Sequence, residues 1–435
     1  MIQTQLKSPH IIEATYRIVT PMFIGDAEQQ ATGISPQSVK GTLRFWWRAL
    51  NWGRIRSQEK TDEAALKILH EQEAKLFGIA MDEKRSSLNE RLIRQKKKDE
   101  LVANGQGKFT LQIQQPKNLT PVKVKDLTTA GLKYLLGIGL SRDQEHTALS
   151  TDQSFILKLI IRDASQDEKN NLCDTLLVFG LLGGLGSRAR KGFGSVTIES
   201  LSNGKEAVAI PQNIAELKNM ISRWKCNVGL PMFTAFSSQT RIDITAQGTK
   251  PLELLNIVGE EQQLYRSYGQ NGFVNGKRAE RKFASDHDLV LDVIRTKTTH
   301  HSIPMRSVFG LPHNYFFSSE FKKIKDEALA RGMSEPDAKK EARRKSQAEF
   351  SASEKNRTRR ASPLFIHVHQ FPDKKVAVIQ SLLPSEFLPD RTALEFKMSN
   401  SPKDKVQVTF NEQAMIDWQV IHTYMDRFTD RVHVL

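Results

Sequence analysis

Cysteine is scarce: only Cys173 and Cys226 occur in 435 residues, far apart and without metal-type spacing. That excludes a disulfide framework and a zinc cage and fits a reducing, cytoplasmic compartment. Long apolar runs are missing as well. No stretch approaches the about 18 residues a bilayer crossing requires, and the N-terminal MIQTQLKSPH lacks a signal-type apolar core, so no membrane partner is expected. Acid is short against base: 49 Asp and Glu stand against 64 Lys and Arg, a formal net charge of +15. Such a field attracts polyanions and repels basic partners. There is no repeat of fixed period and no heptad or collagen pattern, which excludes solenoids and fibrous folds. What is there is a hydrophobic share of 39%, enough to build a core in each of two domains.

Period-2 alternation marks a first strand in IIEATYRIVT, with Ile12, Ala14, Tyr16 and Ile18 on one face. Ser35 then caps a helix whose first residue is Pro36 and which runs to about Leu50. A second helix, 62 to 77, aligns Leu66, Leu69, Leu76 and Phe77 and stops at Gly78. Residues 81 to 98 are highly charged and read as solvent-facing. KFTLQIQQ and SFILKLIIRD read as strands, and QDEKNNLCDTLLVFGLLGGLG as a helix closing on Gly183 and Gly184. GSRARKGFGSVTIES follows, a glycine-rich basic loop running into a strand. This order matches an α+β fold with a ferredoxin-like (RRM-like) βαββαβ core at about residues 1–205. Residues 206–435 read as a second α+β domain with room for a second, degenerate ferredoxin-like unit. There, a charged helical insert at about 318–360 is interrupted near Pro336, and ASPLFIHVHQ and KKVAVIQSLL form a hairpin around Pro372 and Asp373.

Two segments carry the chemistry. In ISPQSVKGTLRFWWRAL, Val39, Leu43, Trp46 and Leu50 share the apolar side of the helix. Lys40, Arg44 and Arg48 line up at i, i+4 and i+8 beside it, with Trp47 at the border. Three like charges at that spacing repel unless an acid or a phosphate backbone answers them. In LLGGLGSRARKGFGSV, glycines permit positive φ and a close main-chain approach, and successive N–H groups beside Arg188, Arg190 and Lys191 suggest an anion-binding concavity. It is no Walker A loop, because Lys191 precedes Gly192 and Phe193 rather than Ser or Thr. It also runs from helix to strand, opposite to dinucleotide and phosphate loops.

TPMFIGD…ISPQSVKGTLRFWWRAL, EAKLFGIA at 73 to 80 and GGLGSRARKGFGSV together resemble the RAMP superfamily of CRISPR proteins. Within it they are most similar to the first-numbered RAMP subunit family of the type III-B (Cmr) effector complex. Shorter echoes occur at RSVFGLPHNYFF and RRASPLFIHV. The resemblance implies a non-catalytic, RNA-binding subunit of a ribonucleoprotein in antiviral defence. It would hold the 3′ region of the CRISPR RNA, the paired target RNA, or both, and cap a backbone of sister RAMP subunits. By matched position, the resemblance makes Lys40, Arg44, Trp47, Arg48, Gly186, Ser187, Arg188, Arg190 and Lys191 RNA-binding candidates. The cations would hold phosphates, and Trp47 would stack on an exposed base. No cofactor and no metal are implied.

The enzymatic alternative is a metal-independent endoribonuclease that processes precursor CRISPR RNA. Against it, half the chain follows the glycine loop, and no histidine lies between His10 and His70 to serve as base. Asp26, near Glu28, is a lone loop carboxylate, short of the ligands a metal route needs. His287 and Asp288 lack the further partners of a two-metal site. His367 and His369 share one strand face and read as a half-exposed pair rather than ligands, with His300, His301 and His313 upstream. The basic KKEARRK and KNRTRR, within 331 to 360, read as a solvated helix or as supplementary RNA or subunit contacts.

Overall fold

The computed structural model describes residues 9–25, 28, 30–79, 105–116, 119–269, 272–298, 302–353, 359–388, 394–398, 405–408 and 416–435. The expectations for Asp26, His300, His301, the charged 81 to 98 stretch and much of KNRTRR lie outside these residues. The chain divides into two compact units. The first is Met1–Gly259 with Phe365–Leu383 and Asp430–Leu435; the second is Glu260–Leu364 with Pro384–Thr429. The first unit contains the 1–205 stretch and continues beyond it.

In the first unit, β1 (His10–Ile18) leads to α1 (Pro36–Arg56) and α2 (Asp62–Phe77). Then come β2 (Phe109–Gln114), α3 (Ala130–Arg142), β3 (Ser154–Ile161), α4 (Gln166–Leu182), β4 (Val196–Asn203) and the short β5 (Glu206–Ala207). The sheet order is β2-β3-β1-β4-β5, and β1 is antiparallel to both of its neighbours. Ile12 pairs with Leu159 and Tyr16 with Phe155, which keeps the apolar face of both strands on one side. Tyr16 is fully buried against Phe155 and Phe179, and its hydroxyl donates to Leu176 O at 2.8 Å, so the one polar atom on this face is satisfied.

The helices start where their caps dictate. Ser35 Oγ accepts from Ser38 N at 3.1 Å, with Pro36 in the first turn. Ser165 and Glu168 form a reciprocal capping box at α4. α1 runs past Leu50 to Arg56 because its apolar stripe does: Trp52 and Ile55 are buried as fully as Trp46. Gly78, at φ +82, ends α2.

A second sheet in the same unit is built from β6 (Arg241–Gly248), β7 (Leu364–Gln370), β8 (Val376–Leu382) and β9 (Val432–His433). Its order is β7-β8-β6-β9. Along the chain, α5 (Pro251–Arg266) follows β6, and α6 (Gln419–Met425) lies between β8 and β9. One hydrophobic cluster joins Ile244, Phe365 and Ile379 of this sheet to Trp46, Leu176 and Val196 of the first.

The second unit has its own core. A sheet of His313–Phe316, Gln347–Ala352, Leu394–Lys397 and Lys405–Val408 buries Phe350 and Phe396 with Val290 and Val293 of helix Ala284–Thr296. The charged insert forms two helices, Ser318–Ala330 and Glu335–Lys345. The insert is thus interrupted near Pro336 as expected, over 331–334, and Pro336 itself sits in the first turn of the second helix behind the Ser334 cap.

Candidate nucleic-acid interface

Lys40, Arg44 and Arg48 lie half-buried along one flank of α1. Burial and the neighbouring Arg44 and Arg162 lower the Lys40 pKa. The repulsion is answered from within. Glu73 of α2 lies 2.8 Å from Arg48 Nη1 and 3.5 Å from Arg44 Nη1. Arg44 also donates to Phe77 O at 3.2 Å and to Gly78 O, tying α1 to the end of α2. The side chains of Arg44 and Arg48 nonetheless keep 30% and 36% of their surface exposed, so a phosphate can still reach them.

Trp47 does not meet its expectation. It is 2% exposed, edge-on to Phe77 at 6.1 Å, because α2 covers the border where the wheel placed it. No base can stack on it in this arrangement, and its indole N–H is buried without a hydrogen-bond partner among the described residues.

The glycine loop is built by backbone approach. Gly186 has φ +83, and a Cβ there would lie 2.4 Å from Phe23 O; at Gly194, φ +64, it would lie 2.0 Å from Leu185 O. Only glycine fits either position. The expected concavity of free N–H groups is a second correction. Ser187 N donates to Phe23 O, Lys191 N to Arg188 O, Gly194 N to Pro21 O and Leu185 N to Gly194 O. These donors are spent on the chain itself, so the loop offers charge through its side chains. Gly186, Ser187 and Arg188 are exposed. Arg188 takes φ +65, and its guanidinium lies beside Gly137 at the kink in α3, where burial lowers its pKa.

Arg190 serves the fold. Its guanidinium lies 4.4 Å from the centre of the Phe365 ring and 5.2 Å from that of Phe45, and burial pushes its pKa down to about 10. Lys191 is half-buried and forms a parallel bridge to Ile366 of β7. The loop and α1 are thus packed together: Arg190 covers Phe45, and a Cβ at Gly183 would meet Trp46 Nε1 at 2.7 Å. Phe45 and Arg48 are i, i+3 neighbours on the helix surface, so the loop abuts the cationic flank.

Sequence reasoning missed three residues here. Glu73 neutralises the helix cations, and helix periodicity alone does not reveal which acid meets them. Arg162, whose charge reaches Lys40, donates to Gly107 O at 2.8 Å. His146 lies 5.8 Å from Phe23, whose carbonyl holds the glycine loop, and 3.5 Å from Asp143; it is 8% exposed.

The other histidines fall elsewhere. His367 and His369 are each 1% exposed, not half-exposed, because β7 is covered on both faces. His367 Nδ1 donates to Gly183 O at 2.7 Å. In the second unit His287 stacks on Tyr268 at 4.3 Å, meets Phe317 edge-on at 4.7 Å and lies 3.3 Å from its neighbour Asp288, while His313 is half-buried with Arg266 and Arg306 nearby. Among the described residues no group of three or more His, Cys, Asp or Glu is placed to hold a metal, and no helix is long and apolar enough to cross a membrane.

None of the curated proteins matches the chain. Among solved structures, the crystal structure of apo Cmr1 from Pyrococcus furiosus is similar over 98% of this chain and 98% of that one, at 15% identity and a TM-score of 0.51. A chain of the cryo-EM structure of the type III-B Cmr-β complex bound to cognate target RNA aligns over 97% of this chain and 99% of that one, at 12% identity and a TM-score of 0.48. The first of these likenesses is one of fold. Residues 15–197 match the family model of the RAMP superfamily, a stretch that begins in β1 and ends in β4 and so spans α1, α2 and the glycine loop. Through that stretch the chain is similar to the RAMP superfamily.

Proposed function

We propose that this chain is an RNA-binding, non-catalytic subunit of a type III-B (Cmr) CRISPR effector ribonucleoprotein. It holds the 3′ region of the CRISPR RNA, the paired target RNA, or both, and caps the row of sister RAMP subunits. The observation that carries the reading is the packing of the basic glycine loop on α1 through Arg190 and Phe45, on the helix whose flank carries the partly exposed Lys40, Arg44 and Arg48. Lys40, Arg44, Arg48, Arg188 and Lys191 bind the phosphates, with Gly186 and Ser187 at closest approach. Trp47 and Arg190 act from inside.

The core of about residues 1–205 is ferredoxin-like in this reading. The strand order β2-β3-β1-β4, with α3 inserted between β2 and β3, supports it. The second sheet has the corresponding order β7-β8-β6-β9, with the elements of the second unit inserted between β6 and β7 and between β8 and β9. That supports a second, degenerate ferredoxin-like unit within 206–435.

The test is single-strand RNA binding by the purified chain and by Lys40→Gln, Arg44→Gln and Arg48→Gln. Each lost contact lowers affinity and flattens the slope of log affinity against log salt by about 0.7. Unchanged binding in the triple variant rejects the reading. His146, close to the loop's support, favours a second reading as an endoribonuclease. Labelled repeat RNA incubated without metal is cleaved in that case, and cleavage is lost in His146→Ala.

A further inference from the structure

The C-terminal end of α1 forms one wall of a cleft of about 870 Å³ within the first unit. This volume lies in the range of about 300–1,000 Å³ usual for small-molecule sites. Three chemistries converge there. Trp224 is partly exposed, braced edge-on by Phe236 at 6.0 Å. Arg223 and Lys225 flank it, both exposed. The one hydrogen bond of the Arg223 side chain to described residues runs from Nε to Met220 O at 3.3 Å, leaving both Nη groups for a ligand. Lys225 pairs with no carboxylate among the described residues.

The third element is Asp174, on the α4 wall of the cleft. Its carboxyl accepts no hydrogen bond from the described residues, and burial raises its pKa against the opposing pull of Arg223. The indole N–H of Trp52, another lining residue, is buried without a hydrogen-bond partner among the described residues. A buried polar group left unmatched costs about 1–3 kcal/mol. A partly buried acceptor, an aromatic ring and two cations within one cleft match the three parts of a nucleotide: the N–H edge of its base, the face of the base, and its phosphate.

We propose that this cleft is a single-nucleotide site, with an unpaired base against Trp224, its N–H edge donating to Asp174, and its phosphate on Arg223 and Lys225. The proposal goes beyond the strand-binding reading and does not rest on it, since it uses none of the cations on the α1 flank. The nucleotide is either a free nucleoside monophosphate or an unpaired nucleotide of a bound RNA.

The full chain titrated calorimetrically with GMP, AMP, CMP and UMP separates the outcomes. Saturable binding is expected for at least one of them. Arg223→Ala/Lys225→Ala and Asp174→Asn each weaken it about tenfold or more, while Arg44→Gln/Arg48→Gln leaves it unchanged. If RNA supplies the nucleotide, the Arg223/Lys225 variant also loses affinity for single-stranded RNA; if a free nucleotide does, its RNA affinity is retained. The substituted cations are exposed, so the variants fold, and circular dichroism checks this. No saturable binding by the folded wild type overturns the proposal. So does binding that ignores the cleft variants or is lost in Arg44→Gln/Arg48→Gln.

Discussion

Glu73 is the residue on which the charge of the α1 flank turns. Its side chain, 9% exposed, serves two guanidiniums at once, at 2.8 and 3.5 Å. An incoming phosphate competes with it for both. Glu73→Gln keeps the shape and removes the competing charge, so RNA affinity at low salt is expected to rise several-fold. The salt slope steepens by up to about 0.7 for each cation released. Because the arginines are about one third exposed, the lost pairing costs only about 0.5–1 kcal/mol of stability. Filter binding across a salt series, with a thermal melt alongside, measures both. An unchanged dissociation constant means that RNA does not lie along this flank.

At the scale of elements, α1 separates its duties by face. Trp46 is 1% exposed beneath Phe365 and Gly183, and Trp46→Ala is expected to cost about 3–5 kcal/mol. Arg190 joins the glycine loop to α1 and β7 through two ring faces. Arg190→Met, which keeps the bulk and discards the charge, is expected to lower stability by about 1–2 kcal/mol and to leave RNA affinity within about twofold. A large loss of RNA affinity in a variant that still melts normally would return Arg190 to the interface. The division explains what was legible in the sequence. Periodicity and caps located β1, α1, α2, β3 and α4, because each signal is local: Ser35 before Pro36, Gly78 after Phe77. Tertiary coverage was not legible. A wheel places Trp47 at a border but cannot show that α2 closes over it, and a basic glycine loop does not reveal that one of its arginines will pack against the paired rings of Phe45 and Phe365. His367 and His369 alternate as a half-exposed strand would, yet β7 is enclosed on both sides by elements distant in sequence.

That enclosure sets how the whole molecule responds to acid and to truncation. Burial pushes the His367 pKa down to about 4 and that of His369 to about 3, the latter further depressed by its neighbour His367. Both are neutral when folded. The unfolded chain binds their protons from about pH 6.5 downward, so the stability they contribute is complete above that pH and falls as pH drops towards 4. Each histidine adds a slope of about 1.4 kcal/mol per pH unit in that window. His369→Gln should flatten the dependence of chemical denaturation midpoints on pH between about 4 and 6.5, and an unaltered profile would mean the histidine is protonated in the folded state. The same strand makes the first unit discontinuous, since Phe365–Leu383 and Asp430–Leu435 return to it from far along the chain. They supply Phe365 to Arg190 and Trp46, and β7, β8 and β9 to the second sheet. Residues 1–259 expressed alone would expose the apolar surface those strands cover and leave β6 with neither of its neighbours, an unpaired edge prone to association. The expected outcome is aggregation, relieved by co-expression of residues 260–435. A monomeric 1–259 fragment with a cooperative melt would instead show that the first sheet and its helices are self-sufficient, and that the returning strands are held by them without supporting them.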